Sequence, residues 1–143
     1  MKKGFSLVEI LVVVTIISLL ASIAAVSYSQ FVKQSRDARR KTDIEQIRAA
    51  IELYRNFNME YPNDLNFEGT GTVTDPEPGT AVYMSKIPND PKSTVGYTYY
   101  YLRDSVTDYT LCAYIEGGGT SVSVENCAPS LPCNYCMGPY GQK

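Results

Sequence analysis

Four cysteines, one isolated carboxylate and no histidine bound the chemistry open to this 143-residue chain. Cys112, Cys127, Cys133 and Cys136 all fall in its last third. Cys133-Asn-Tyr-Cys136 has the spacing of a redox pair or of half a zinc site. The second CxxC of a zinc ribbon is absent, and an even cysteine count in a small exported domain reads as two structural disulfides. Four cysteines allow three pairings, and the sequence does not choose among them. Cys112 lies mid-strand and is expected to be tied to the tail, with Cys127 its natural partner. The lack of histidine removes the commonest general base and metal ligand. No nucleophile motif, phosphate-binding glycine loop or carboxylate pair in a cleft takes their place, so no enzyme and no cofactor are expected. Net charge is −2, with no basic patch or charged tail to point to nucleic acid.

The isolated carboxylate is Glu9, the only charge between Phe5 and Val32. The apolar run that holds it is long enough to cross a bilayer core of ~30 Å as a helix at ~1.5 Å per residue. A secretory signal needs only roughly 7–15 apolar residues before its cleavage site, and this pattern continues well past that. A plain single-pass anchor leaves Glu9 unexplained, because a carboxylate at the centre of a membrane helix costs roughly 2.5–3.5 kcal/mol, less near an end.

Gly4-Phe5-Ser6-Leu7-Val8-Glu9, behind Met1-Lys2-Lys3 and ahead of the apolar run, resembles the prepilin cleavage motif of type IV pilins and type II secretion pseudopilins. The resemblance implies a cut by a membrane peptidase between Gly4 and Phe5, N-methylation of the new Phe5 amine, and a role for Glu9 as fifth residue of the mature chain. Phe5 and Glu9 are then the assembly residues. The amine of a neighbouring subunit neutralises Glu9, so the buried charge is stabilised only in the filament. Where the family often has Gly and Pro inside this helix, the sequence has Ser18 and Val26, which makes the segment less disposed to unwind. One feature runs against an external head. Lys33, Arg36, Arg39, Arg40 and Lys41 outnumber Lys2 and Lys3, and a positive-inside count favours the opposite orientation. Large domains translocate against that bias, and the cysteines fit an oxidising compartment.

The elements that position these residues follow from pattern. No Gly or Pro occurs between Phe5 and Tyr61, which predicts one continuous helix. Its second half is amphipathic, with Ile44, Ile47, Ile51 and Tyr54 as a stripe that Ala50, Leu53 and Phe57 widen. Asp37 and Lys41 form an (i, i+4) pair in the favourable order. The basic cluster from Arg36 to Lys41 reads as a solvated face or a contact with lipid headgroups or a neighbour's acids. Tyr61-Pro62 ends the helix. The expected divisions are a leader at 1–4, a transmembrane and filament-core helix at 5–27, an amphipathic half at 28–57 and a globular head at 58–143. Within the head, 58–95 reads as loop, 96–125 as a β-meander and 126–143 as an irregular cysteine-rich tail. Strands are predicted over Tyr97–Leu102, Asp108–Glu116 and Thr120–Glu125, linked by Arg103–Thr107 and Gly117-Gly118-Gly119. The fold class is α+β, a long helix packed on a small antiparallel sheet with a disulfide-bonded tail. The twelve tyrosines, Tyr99-Tyr100-Tyr101 among them, read as β-propensity and amphipathic packing, not as an adhesive surface.

Ile87-Pro88-Asn89-Asp90-Pro91 resembles the Pro-Asp-Pro segment that precedes the sheet in pseudopilin G-like proteins. Such relatives bind calcium in the region of the fold where Asp104, Asp108 and Glu116 fall. Here Asp104, Asp108 and Glu116 lie near strand ends without the dense oxygen loop that calcium prefers, so they read as solvated turn residues and no metal is expected. The resemblance further implies a membrane-anchored precursor with an extracytoplasmic head and an extracellular or periplasmic mature filament. Its partners would be other copies of the chain, other pilin-like subunits, a prepilin peptidase and an assembly ATPase with its membrane platform. A type IV pilus-like filament is the expected assembly. The major pseudopilin of a type II secretion system is the alternative, and a membrane-anchored binding domain that never polymerises is a second.

Overall fold

The computed structural model describes residues 6–76, 81–119 and 124–143. The Gly4–Phe5 cut and the Phe5 amine lie outside the described residues, as do positions 120–123 of the third predicted strand.

Helix α1 spans Leu7–Asn58, as the lack of helix breakers requires. Three hydroxyls within its apolar half, on Thr15, Ser18 and Ser22, are satisfied by the helix itself. Thr15 Oγ1 donates to the Val12 carbonyl at 2.8 Å, and Ser18 Oγ to the Val14 carbonyl at 2.7 Å. Ser22 Oγ donates to the Ser18 carbonyl at 2.6 Å. The helix closes when Met59 takes a left-handed φ of 61° and its N–H donates to the Arg55 carbonyl at 2.8 Å.

Two compact units divide at Ser35 and Arg36. The second, Arg36–Lys143, has its own core. In it, β3 (Tyr100–Arg103), β4 (Tyr109–Ala113), β7 (Tyr135–Gly138) and β8 (Gly141–Gln142) form one antiparallel sheet in that spatial order. Two further antiparallel pairs are separate from it, β1 (Val73–Thr74) with β2 (Val82–Met84), and β5 (Val124–Ala128) with β6 (Leu131–Cys133). A short 3₁₀ turn occupies Ser93–Val95. The α+β class is as expected, but the tail differs from its predicted irregular form. Residues from Asn126 onward carry three of the five positions of β5 and all of β6 to β8. Of the strand expected at 120–125 only Val124 and Glu125 are described; they open β5, which pairs with β6, and β7 takes the place beside β4. Ser130, with φ 58°, makes the tight reversal between β5 and β6.

β4 is buried along its whole length because both of its faces are covered. Tyr109, Leu111 and Ala113 face the main core with Ile44, Ile47, Ile51 and Tyr54 of α1. Cys112 joins a second cluster with Cys127, Cys133 and Cys136, against which Tyr100 and Tyr114 pack. The helical stripe is narrower than predicted. Ala50 is buried, but Leu53 and Phe57 are 48% and 72% exposed, with Phe57 lying against the Tyr83 ring.

The disulfides pair Cys112 with Cys136 and Cys127 with Cys133, not Cys112 with Cys127. Register explains the difference. Cys112 and Cys136 stand directly opposite each other on β4 and β7, whereas Cys127 and Cys133 close the β5–β6 hairpin across a separation of 6 residues. With all four sulfurs bonded in this way, neither a four-thiolate zinc site nor a Cys133/Cys136 redox pair forms.

Candidate functional site

The first unit offers one surface, an apolar one. Every described large hydrophobic residue from Leu7 to Ile23 is exposed, and α1 is long and apolar enough there to cross a membrane. Glu9 lies exposed in its first turn, where the N–H groups of Glu9 and Ile10 both donate to the Ser6 carbonyl, at 3.1 and 3.2 Å. Among the described residues from Ser6 to Val32, Glu9 is the sole charge on a predominantly apolar helical surface. The structure does not bring Glu9 together with Phe5, which lies outside the described residues.

The second unit is held at its helical end by a buried ionic network. The Arg40 side chain is 0% exposed. Its guanidinium donates to both Asp90 oxygens, Nε to Oδ2 at 2.7 Å and Nη2 to Oδ1 at 3.1 Å. Nη1 donates to Asp37 Oδ1 and Glu116 Oε1, each at 2.9 Å. Arg36 grips Glu116 bidentately at 2.7 Å for both bonds. Asp37 also accepts the backbone N–H groups of Glu116 and Gly117, at 2.9 and 2.8 Å. Lys92 lies 3.5 Å from Glu116 and over the Tyr97 ring, which Arg40 also approaches. Three cations meet three carboxylates, which compensates the charges taken out of water.

The titration of these groups follows from the contacts. Hydrogen bonds from Arg36, opposed by burial and reinforced by Arg40, hold the Glu116 carboxyl at about 2. Burial alone would lower the Arg40 pKa, but its bonds to Asp90 and Glu116 outweigh that and raise it. The Glu116 hydrogen bond likewise raises Arg36.

This network corrects three sequence readings. Arg36 and Arg40 do not form a solvated basic face. Asp37 pairs with Arg40 at (i, i+3), not with Lys41, whose ammonium lies over the Tyr135 ring. Glu116 is not a free turn carboxylate. A signal for the network was present, because 37, 40, 44, 47, 51 and 54 continue one helical stripe, so Asp37 and Arg40 sit on the face that buries Ile44. Asp90 comes from the turn after Pro88 and could not be assigned to Arg40 from spacing alone.

The buried tyrosines also carry hydrogen bonds. Tyr99 donates to Asp43 Oδ2 at 2.7 Å, Tyr101 to the Pro62 carbonyl at 2.7 Å and Tyr109 to Glu52 Oε1 at 3.1 Å. Burial raises the pKa of all three, and the carboxylates beside Tyr99 and Tyr109 raise theirs further.

The residues near strand ends do not fit calcium. Glu116 is turned into the arginine network, while Asp104 and Asp108 hold the Lys143 ammonium. Among the described residues no group of three or more metal-ligating side chains assembles.

Residues 1–25 match the prokaryotic N-terminal methylation motif. The chain is similar to type II secretion system core protein G of Vibrio cholerae serotype O1, at 30% identity over 133 residues, covering 87% of this chain and 89% of that one. It is 32% identical to the Pseudomonas aeruginosa core protein G over 96 residues, 63% of this chain and 68% of the relative. Similarity to the type IV major fimbrial protein FimA of Dichelobacter nodosus is 40% over 52 residues, 36% of this chain and 33% of the relative. No solved structure matches.

Proposed function

The chain belongs to the family of type IV pilins and type II secretion pseudopilins, and on that premise we propose that it is the structural subunit of a pilus-like filament, processed after Gly4 and assembled through its N-terminal helix. The observation that carries this reading is the surface from Leu7 to Ile23, predominantly apolar and exposed with Glu9 as its one charge, in a chain whose other unit already buries its own core. A solvated helix of that composition is unstable in water. A bilayer covers it in the precursor, and the same helices of neighbouring copies cover it in the filament.

In this account the precursor is a single-pass membrane protein with an extracytoplasmic head, and the mature form belongs to an extracellular or periplasmic filament. Two disulfides in the head suit that compartment. Glu9 sets the register by meeting the Phe5 amine of a neighbour, and its desolvation is then compensated only in the polymer. A prepilin peptidase and an assembly ATPase with its platform are the partners this requires. The role is structural, not catalytic. The test is Glu9→Ala in the native host, with membrane-fraction and shear-released protein measured in parallel. The membrane fraction should be unchanged and the released filament reduced at least tenfold. Normal filament yield would remove the proposed role of Glu9.

A second reading, the major pseudopilin of a type II secretion system, is favoured by the reach of the similarity. The match to core protein G extends through the head, while the FimA match covers 52 residues. Deletion of the gene separates the two. Loss of surface filaments with normal protein export supports the pilus, and loss of export supports the pseudopilus.

A further inference from the structure

Asp104 and Asp108 bracket the link between β3 and β4, where the N–H groups of Asp104 and Ser105 both donate to the Asp108 carbonyl at 3.0 Å. The closed loop holds two carboxylates close enough to share one cation. That cation is the ammonium of Lys143. Its Nζ lies 3.0 Å from Asp104 Oδ2, 2.9 Å from Asp108 Oδ1 and 2.9 Å from Thr110 Oγ1. An ammonium has three protons to donate, and here it finds three acceptors. The Thr110 hydroxyl completes the set by donating to Asp104 Oδ2 at 2.6 Å.

The position of Lys143 follows from the backbone. Pairing of β8 with β7 brings the chain back along the sheet, and the Lys143 N–H donates to the Cys136 carbonyl at 3.0 Å. The lysine stem then crosses Gly138, where a Cβ would come within 2.6 Å of Lys143 Cε. Strand register, a glycine under the stem and three matched acceptors all place the ammonium at the same point.

We propose that Lys143 is the resident cation of the β3–β4 loop, so that this head is closed by an internal ionic clasp instead of a divalent metal. Calcium takes six to eight oxygen ligands, and to enter here it must first displace an ammonium that already holds Asp104 Oδ2, Asp108 Oδ1 and Thr110 Oγ1. The hydrogen bonds to Asp108 and Asp104 raise the Lys143 pKa against the lowering effect of burial. Those from Thr110 and Lys143 lower Asp104 against the raising effect of burial. The clasp lies wholly within the head and does not depend on polymerisation.

The test uses the full chain in detergent micelles, with calorimetric titration of CaCl₂ and thermal unfolding followed by near-ultraviolet circular dichroism. The parent should show no saturable calcium heat up to a few millimolar. Lys143→Met keeps the stem but removes the charge, and should lower the Tm by about 4 °C, the effect of losing part-exposed ion pairs in a domain of this size. Lys143→Arg should recover most of that loss. Saturable calcium binding by the parent that Asp104→Asn abolishes would overturn the proposal, as would an unchanged Tm in Lys143→Met.

Discussion

Replacing Arg40 by methionine is the most informative perturbation of the head. Methionine keeps an unbranched stem of similar reach and removes the guanidinium. The three carboxylates it serves are not equally harmed. Asp37 keeps the N–H groups of Glu116 and Gly117, and Glu116 keeps both bonds from Arg36. Asp90 loses both guanidinium bonds and retains the Lys92 N–H at 2.7 Å. Asp90 is 3% exposed, so its charge is left buried and largely uncompensated. Breaking one side of a buried pair costs roughly 3–5 kcal/mol, mostly as the penalty on the stranded partner. The assay is urea unfolding of the full chain in micelles. Near-ultraviolet circular dichroism of the buried tyrosines reports the head, since the chain has no tryptophan. The double variant Arg40→Met with Asp90→Asn should recover at least ~1.5 kcal/mol relative to the sum of the singles, because the stranded charge is gone. A loss below ~1 kcal/mol for Arg40→Met, the scale of a surface pair, would refute the reasoning, as would strict additivity.

Acid should weaken the head in a defined window. The folded-state Glu116 pKa of about 2 lies below its ordinary value, so the stability from this group is fully present above that ordinary value and is lost as pH falls toward about 2. Glu116→Gln should flatten this part of the stability profile measured by urea titration at stepped pH. Asp43, raised by burial, acts in the opposite sense and sharpens the need for that paired comparison. The two disulfides should differ in worth. For separations of 24 and 6 residues, loop-closure entropy gives about 3.5 and about 2.2 kcal/mol, so Cys112→Ala/Cys136→Ala should unfold at lower urea than Cys127→Ala/Cys133→Ala. Tyr99→Phe deletes the hydroxyl that serves buried Asp43 and should cost about 1–3 kcal/mol in the same assay.

Much of this molecule was legible in sequence because its strongest signals are local. The helix over Leu7–Asn58 follows from an unbroken run without Gly or Pro, and its end came within a residue of the predicted boundary at Phe57. The inward positions of β4 followed from alternation of Tyr109, Leu111 and Ala113. What escaped was non-local. The sheet's share of the tail became strands because β7 pairs with the edge of β4 and β8 with β7, and nothing in residues 126–143 taken alone announces that edge. The disulfide pairing followed from register across β4 and β7, which spacing does not encode. Arg40 departs from expectation for a different reason. Charge suggested solvent, while its place on the Ile44–Ile47–Ile51 stripe put it inside, and the stripe was the stronger constraint. Lys143 gave no sequence signal at all, because its partners lie 33 to 39 residues away.

The central claim is a processed filament subunit, and the N-terminus of the native protein tests it most directly. Protein should be taken from the shear-released fraction of its own host and its intact mass and N-terminal peptide determined. The account predicts a chain that starts at Phe5 with one added methyl on its amine. A chain that starts at Met1 would contradict it, because the Phe5 amine would not exist to meet Glu9, and would favour an anchored domain that does not polymerise.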